Sequence, residues 1–120
     1  MVLVDTSVWV AHLRDGNTEL ATLLYNGVVL CHPLIVGELA CGNLKDRAVI
    51  LSFLKLLPMC IEAEHEEVLS FIENNRIMGK GIGYVDVQLV ASSVLTGVPI
   101  WTLDKKLAQV ADSLHIKYKN

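Results

Sequence analysis

Four of the chain's 13 acidic residues stand where ordinary surface charge does not explain them. Asp5 closes the apolar run Val2-Leu-Val4 and leads into Thr6-Ser-Val-Trp9. Glu38 lies within Leu34-Ile-Val-Gly-Glu-Leu-Ala-Cys41, otherwise apolar all round, where a charge is expected to be buried and in need of a partner. Asp86 falls between Val85 and Val87 after a glycine-rich loop, and Asp104 directly follows Ile100-Trp-Thr-Leu103. The other acids have plain readings. Glu62, Glu64, Glu66, Glu67 and Glu73 belong to one solvated helix and its approach; Asp15, Glu19, Asp46 and Asp112 sit beside turns or helix starts.

Carboxylates gathered in one place repel and raise one another's pKa, which favours a cation among them. Every donor here is oxygen, with the hydroxyls of Thr6, Ser7 and Thr102 adjacent in sequence and no His or Cys in the set. Such a set suits Mg2+ or Mn2+ and not a structural Zn2+. One ion, or two about 3.5–4 Å apart, activates water and offsets charge building on a phosphate, so the chemistry indicated is phosphodiester hydrolysis. Taken singly, Asp5 and Asp104 also read as helix N-caps, Asp86 as a first-turn acid, and Glu38 as the partner of a buried Lys or Arg. A shared site accounts for all four together.

The elements that must position these acids follow from apolar period and punctuation. Strands are expected at 1–4, 28–31, 59–61, 98–102 and 115–118. Between them, helices are expected at 6–14, from Thr18 to about 25, from Pro33 to about 41, and at 46–57, 63–75, 84–96 and 104–112. Thr18 is the expected cap of the second helix, and Val87, Val90, Ala91 and Val94 form the inward stripe of the helix that starts at Tyr84. Strands alternating with helices imply a mostly parallel sheet covered on both faces, a three-layer α/β/α sandwich. In such a sheet the carboxyl ends of strands and the starts of helices share one edge, and ligands bind there. Asp5, Asp86 and Asp104 map to that edge.

Bulk properties narrow the alternatives. A chain of 120 residues, expected to form one domain over 1–120, buries roughly two thirds of its unfolded surface and needs no staple. With 52% hydrophobic residues, 8 Gly and 3 Pro, disorder and low-complexity architectures are excluded. A net charge of −3 argues against holding nucleic acid by bulk positive charge, but not against nucleic acid as a substrate. Setting the four acids aside leaves nine against ten lysines and arginines, so the negative charge belongs to the site and not to the body. Cys31, Cys41 and Cys60 lack CxxC spacing and read as buried free thiols in a reducing cytosol. No leader-like segment precedes Asp5, and no apolar run approaches about 18 residues, so neither export nor a membrane span is expected.

At these residues the chain resembles the PIN domain family, and within it the small VapC-type toxin ribonucleases. Val4-Asp-Thr-Ser-Val-Trp-Val10 resembles the family's first-strand motif and Val36-Gly-Glu-Leu39 its helix-borne glutamate. Gly83-Tyr-Val-Asp-Val-Gln-Leu-Val-Ala91 resembles the helix of the third acid, and Trp101-Thr-Leu-Asp-Lys-Lys-Leu107 the turn of the fourth. The separations of 33, 48 and 18 positions (Asp5 to Glu38, to Asp86, to Asp104) suit a minimal domain of this kind. The resemblance implies a Mg2+- or Mn2+-dependent endoribonuclease, the toxin of a type II toxin–antitoxin pair, cutting single-stranded or loop RNA. It implies as well a cognate VapB-like antitoxin that blocks the site, a homodimer, and a cytoplasmic location. Carried over by position, Asp5, Glu38, Asp86 and Asp104 form the acidic site, Asp5 and Asp104 as the direct metal ligands, with Thr6, Ser7 and Thr102 orienting ligands or water. Leu89 departs from members with a further acid three residues after the third.

Candidates to hold RNA are Lys80 in the glycine loop and Lys105-Lys106 beside Asp104, with Arg14, Lys45, Arg47 and Arg76 scattered over helix ends and loops. Gly79-Lys-Gly-Ile-Gly83 lacks the GxxxxGK[ST] pattern and is not a P-loop. Trp9 and Trp101 read as core anchors before base-stacking platforms, and His12, His32, His65 and His115 as caps or surface residues. Competing functions fit less well. Dehalogenase-like phosphatases want an acid where Ser7 stands, and receiver domains want an acidic pair before the phosphorylated Asp. The Asp-x-Ser-x-Ser of a metal-dependent binding module stops at Trp9, and a nuclease-dead PIN scaffold is at odds with four intact acids.

Overall fold

The sheet is built from the shortest apolar runs in the chain. In the computed structural model, which describes residues 1–119, strand β1 (Val2–Val4) is buried along its whole length at the centre. Strands β2 (Val29–Leu30) and β3 (Ile100–Trp101) flank it, both parallel to it, in the order β2-β1-β3. The register pairs Leu3 with Leu30 on one side and with Ile100 on the other. Continuous burial without alternation is what a parallel sheet covered on both faces demands.

Among the described residues, seven helices provide that cover: α1 (Thr6–Asp15), α2 (Thr18–Tyr25), α3 (Pro33–Cys41), α4 (Arg47–Leu56), α5 (His65–Asn75), α6 (Tyr84–Thr96) and α7 (Lys105–Ser113). The result is the expected three-layer α/β/α sandwich. The expected strands at 59–61 and 115–118 shrink to single bridges, Cys31 to Met59 and Ile100 to Lys117. Each flank of the sheet gains one rung before the chain turns away, with Cys60 N–H donating to Cys31 O and Tyr118 N–H to Ile100 O at 2.9 Å each.

Helix starts follow the capping chemistry, with one reassignment. Asn17, not Thr18, caps α2, its side chain accepting from Leu20 N–H. Thr18 instead lies inside the first turn. Asp46 precedes α4 in a left-handed conformation (φ 53°) and makes no side-chain cap. Glu64 and Glu67 form a capping box at the start of α5.

α6 is the buried spine of the molecule. Its Leu89 and Val90 belong to the main core with Leu3, Val4, Val8 and Ile100, while Val87 and Ala91 join a second cluster with Val68, Ile77 and Val110. Val94 departs from the expected stripe and is exposed, whereas Leu89 is fully buried. Trp9 and Trp101 are both core anchors. Cys31 and Cys60 are buried free thiols, but Cys41, at the end of α3, is exposed. Among the described residues, no helix is long and apolar enough to cross a membrane.

Candidate active site

β1, β3 and α6 bring three of the acids to one edge of the sheet. Asp5 follows β1 and is 5% exposed; its backbone N–H donates to Trp101 O at 2.9 Å, extending the ladder by one rung. Asp104 follows β3 and caps α7, its Oδ1 accepting from Leu107 N–H at 2.9 Å. Asp86 lies in the first turn of α6, half-buried. Glu38 comes from α3, where the expectation of a buried charge fails: its side chain is exposed, because Pro33, Gly37, Glu38 and Cys41 form a solvent face on that helix. What fixes Glu38 is Thr6 Oγ1, which donates to its Oε1 at 2.9 Å.

Two hydroxyls lock the corner between β1 and β3. Ser7 Oγ donates to Asp5 Oδ2 at 2.7 Å and accepts from Leu103 N–H at 2.9 Å. Thr102 Oγ1 donates to the same Oδ2 at 2.8 Å and accepts from Asp104 N–H at 3.0 Å. Ser7 N–H makes a third, longer approach to Oδ2 at 3.4 Å. Asp5 is thus bound through one oxygen by residues on both sides of the sheet corner. Among the described residues, no hydrogen bond reaches its Oδ1 or Asp104 Oδ2.

The charges make themselves felt at Asp86, whose carboxyl is pushed up to about 6. Burial is the largest cause, followed by the negative charges of Asp5, Asp104 and Glu38, with a backbone hydrogen bond from Gly83 opposing them. All four acids therefore share one electrostatic neighbourhood. None is neutralised from within the protein, since the ion pairs among the described residues are Arg14–Asp15 and Lys119–Asp112. Nor, among the described residues, do three acidic, thiol or imidazole side chains stand close enough as placed to hold an ion. The donor set nonetheless fits a hard divalent cation: carboxylates only, no intramolecular counter-charge, and unshared oxygens on Asp5 and Asp104. Leu89 occupies the position of a further acid and is 0% exposed, so that position serves the core and adds no ligand.

The basic candidates separate by surroundings. Lys80 and Lys106 line one small pocket together with Arg76, while Lys105 lies outside it. Arg14 and Lys45 line a groove of about 450 Å³ that has Glu38 in its wall. Arg47 is committed elsewhere: its guanidinium donates to Gly42 O and Ala40 O and closes the C-terminal end of α3. A comparable groove of about 440 Å³ between α5 and α6, lined by Phe71, Ala91 and Leu95, contains none of the four acids. Among the histidines, His32 is a buried cap whose Nδ1 accepts from Leu34 N–H at 3.0 Å, with Nε2 3.1 Å from Ser92 Oγ. Sequence reasoning missed the role of Gly81, over which the side chain of Lys106 lies. A glycine between two lysine-bearing segments was the only signal.

The family model of the PIN domain matches residues 2–113, and the chain belongs to this family. Its relatives include Ribonuclease VapC32 of Mycobacterium tuberculosis, 44% identical over 108 residues, spanning 89% of this chain and 87% of the relative. The same figures hold for strains CDC 1551/Oshkosh and ATCC 25618/H37Rv.

Proposed function

We propose that this chain is a single nuclease domain, a Mg2+- or Mn2+-dependent endoribonuclease acting in the cytoplasm as the toxin of a type II toxin–antitoxin pair. The observation that carries the reading is the corner where Ser7 and Thr102 fix Asp5 beside Asp104, within electrostatic reach of Asp86 and Glu38, with no lysine or arginine paired to any of the four among the described residues. The 44% identity to a protein named a ribonuclease supports the substrate class.

Asp5 and Asp104 would hold the ion through their unshared oxygens, with Glu38 and Asp86 completing its surroundings. The ion supplies charge compensation on the phosphate and a stronger water nucleophile. The protein's own share is positional. Ser7 and Thr102 fix Asp5 by one oxygen and so aim the other, and Thr6 holds Glu38 against the start of α1. Asp86, its carboxyl pushed up to about 6 by burial and by the neighbouring acids, would be the group whose proton a bound cation would displace.

An antitoxin and a second copy of the chain would each cover apolar surface. Val49, Phe53 and Leu56 form an exposed stripe along α4, with Leu56 85% exposed, and such stripes mark interaction faces. The test is cleavage of a mixed cellular RNA pool by purified protein with Mg2+ or Mn2+. Discrete cuts that vanish in excess EDTA and in Asp5→Asn are expected. Cleavage that survives either change overturns the reading.

A further inference from the structure

Close in sequence to two of the acids lies a second feature of opposite sign. A pocket of about 160 Å³ opens between the end of α5, the glycine loop and α7, lined by Arg76, Lys80 and Lys106 together with Asn75, Gln109 and Ser113. No acidic residue lines it, and none of the three cations is ion-paired among the described residues. Three cations left together repel, and an anion relieves that repulsion. The volume is well below the roughly 300–1,000 Å³ of pockets that enclose a drug-sized ligand, so it suits a single anionic group and not a whole nucleotide.

The pocket is held in shape by backbone that few residues can adopt. Arg76 ends α5 in the left-handed region at φ 53°. Gly81 has φ +81°, and a Cβ placed there would stand 2.8 Å from Cδ and 3.1 Å from Nζ of Lys106. The missing side chain of Gly81 thus leaves the space in which the Lys106 stem and ammonium lie. Both walls also lead directly to the acids. Lys106 is two residues beyond Asp104 in the first turn of α7, and Gly81 is two residues before Gly83, the N-cap of the helix that bears Asp86.

Resting on the ribonuclease reading above, we propose that Arg76, Lys80 and Lys106 form a subsite for an RNA backbone phosphate neighbouring the one attacked, with Gly81 the residue that positions Lys106. Cations joined by amide and hydroxyl donors match a phosphate, which offers several acceptor oxygens, better than the two oxygens of a protein carboxylate. The subsite also offsets the repulsion that a polyanion meets at the four acids.

Binding of a fluorescent single-stranded RNA to the full-length protein, in EDTA to prevent cleavage, tests this over a range of salt. Arg76→Gln, Lys80→Gln and Lys106→Gln are each expected to weaken binding about 3- to 10-fold and to flatten the log K against log salt slope by about 0.7. Gly81→Ala, which would strain the left-handed backbone and push aside the flexible end of Lys106, is expected to weaken binding by a smaller factor of about 2 to 3, with Lys106→Arg retaining most of it. Lys55→Gln, which removes the same charge from α4, is the control, with an expected change below 2-fold. Equal effects in the control and the pocket variants overturn the subsite in favour of bulk charge. Loss of affinity for an acidic peptide but not for RNA overturns it in favour of a protein partner. If wild type cuts RNA while the pocket variants bind as it does, the subsite fails and the ribonuclease reading stands. If wild type neither binds nor cuts RNA, both fail.

Discussion

Replacing Asp86 by Asn should make the metal-free protein more stable while it removes activity. The carboxyl is raised from 3.8 to about 6 by burial and by the charges of Asp5, Asp104 and Glu38. For an acid, a folded-state pKa above the unfolded one means that the native state binds the proton more tightly. The stabilising contribution is complete below about pH 3.8 and is lost as pH rises through about 6, leaving a native-state penalty at neutral pH. At 1.36 kcal/mol per pKa unit the penalty would be about 3 kcal/mol, and solvent screening of this half-buried group brings it to roughly 1–2 kcal/mol. For a chain of this length that corresponds to a Tm increase of about 4–8 °C for Asp86→Asn at pH 7.5 in EDTA.

Thermal unfolding of wild type and variant in EDTA at pH 4.5 and pH 7.5 measures this directly. The gap between them should be wide at pH 7.5 and shrink to about a third at pH 4.5, closing only below about pH 3.8, where the unfolded carboxyl is protonated as well. Added Mg2+ should raise the wild-type Tm and narrow the gap. An Asp86→Asn protein no more stable than wild type at pH 7.5, or a gap that does not change with pH, would refute the claim that the four carboxylates are electrostatically coupled.

Three further outcomes follow from individual contacts. Ser7→Ala removes the 2.7 Å bond to Asp5 and the acceptor for Leu103 N–H, and should cost about 1–2 kcal/mol in urea unfolding and raise the Mg2+ concentration needed for half-maximal cleavage. Unchanged values would show that Asp5 is held by other means. His32 has its pKa lowered by burial, so its contribution to stability is complete above about pH 6.5 and declines as pH falls through the lowered value. His32→Asn, which keeps a cap, should flatten that acid-side loss in denaturant titrations at pH 7.5 and 5.5. Leu89→Glu buries an unpaired carboxylate in the core and should cost several kcal/mol or prevent folding, whatever the metal concentration. Rescue by Mn2+ would instead make that position a ligand site.

The parallel architecture was legible because apolar runs and glycine punctuation encode period and length locally. Strand extent was not. Met59–Ile61 and His115–Tyr118 carry strand-like residues, yet each meets the sheet for one rung only, because pairing depends on a neighbour's geometry as well as on propensity. The positions of Asp5, Asp86 and Asp104 at element boundaries were readable because each interrupts or follows an apolar run. The expected burial of Glu38 failed because its segment looks apolar throughout, yet glycine, proline and cysteine leave the face around it open to water. The phosphate-sized pocket was out of reach for a different reason. Arg76, Lys80 and Lys106 span 31 positions, and only the fold brings them together around one glycine.

For Asp5 and Asp104, the structural and functional readings of the same residue turn out to be compatible, and the compatibility has a mechanism. Each is a helix N-cap, and capping occupies one carboxylate oxygen: Oδ2 of Asp5 by Ser7 and Thr102, Oδ1 of Asp104 by Leu107 N–H. A carboxylate has two oxygens, so a cap that fixes one also fixes the direction of the other. The side-chain entropy of orienting a ligand is thereby lost on folding and not on ion binding. A glutamate at either position would shift the free oxygen outward by one methylene and forfeit the short cap. Asp104→Glu should therefore lower both the helix stability of α7, by about 1 kcal/mol, and the affinity for Mg2+. Asp104→Asn should keep the cap and lose the affinity alone. If Asp104→Asn destabilises as much as Asp104→Glu, the cap does not depend on the oxygen assigned to it, and the division of labour between the two oxygens is wrong.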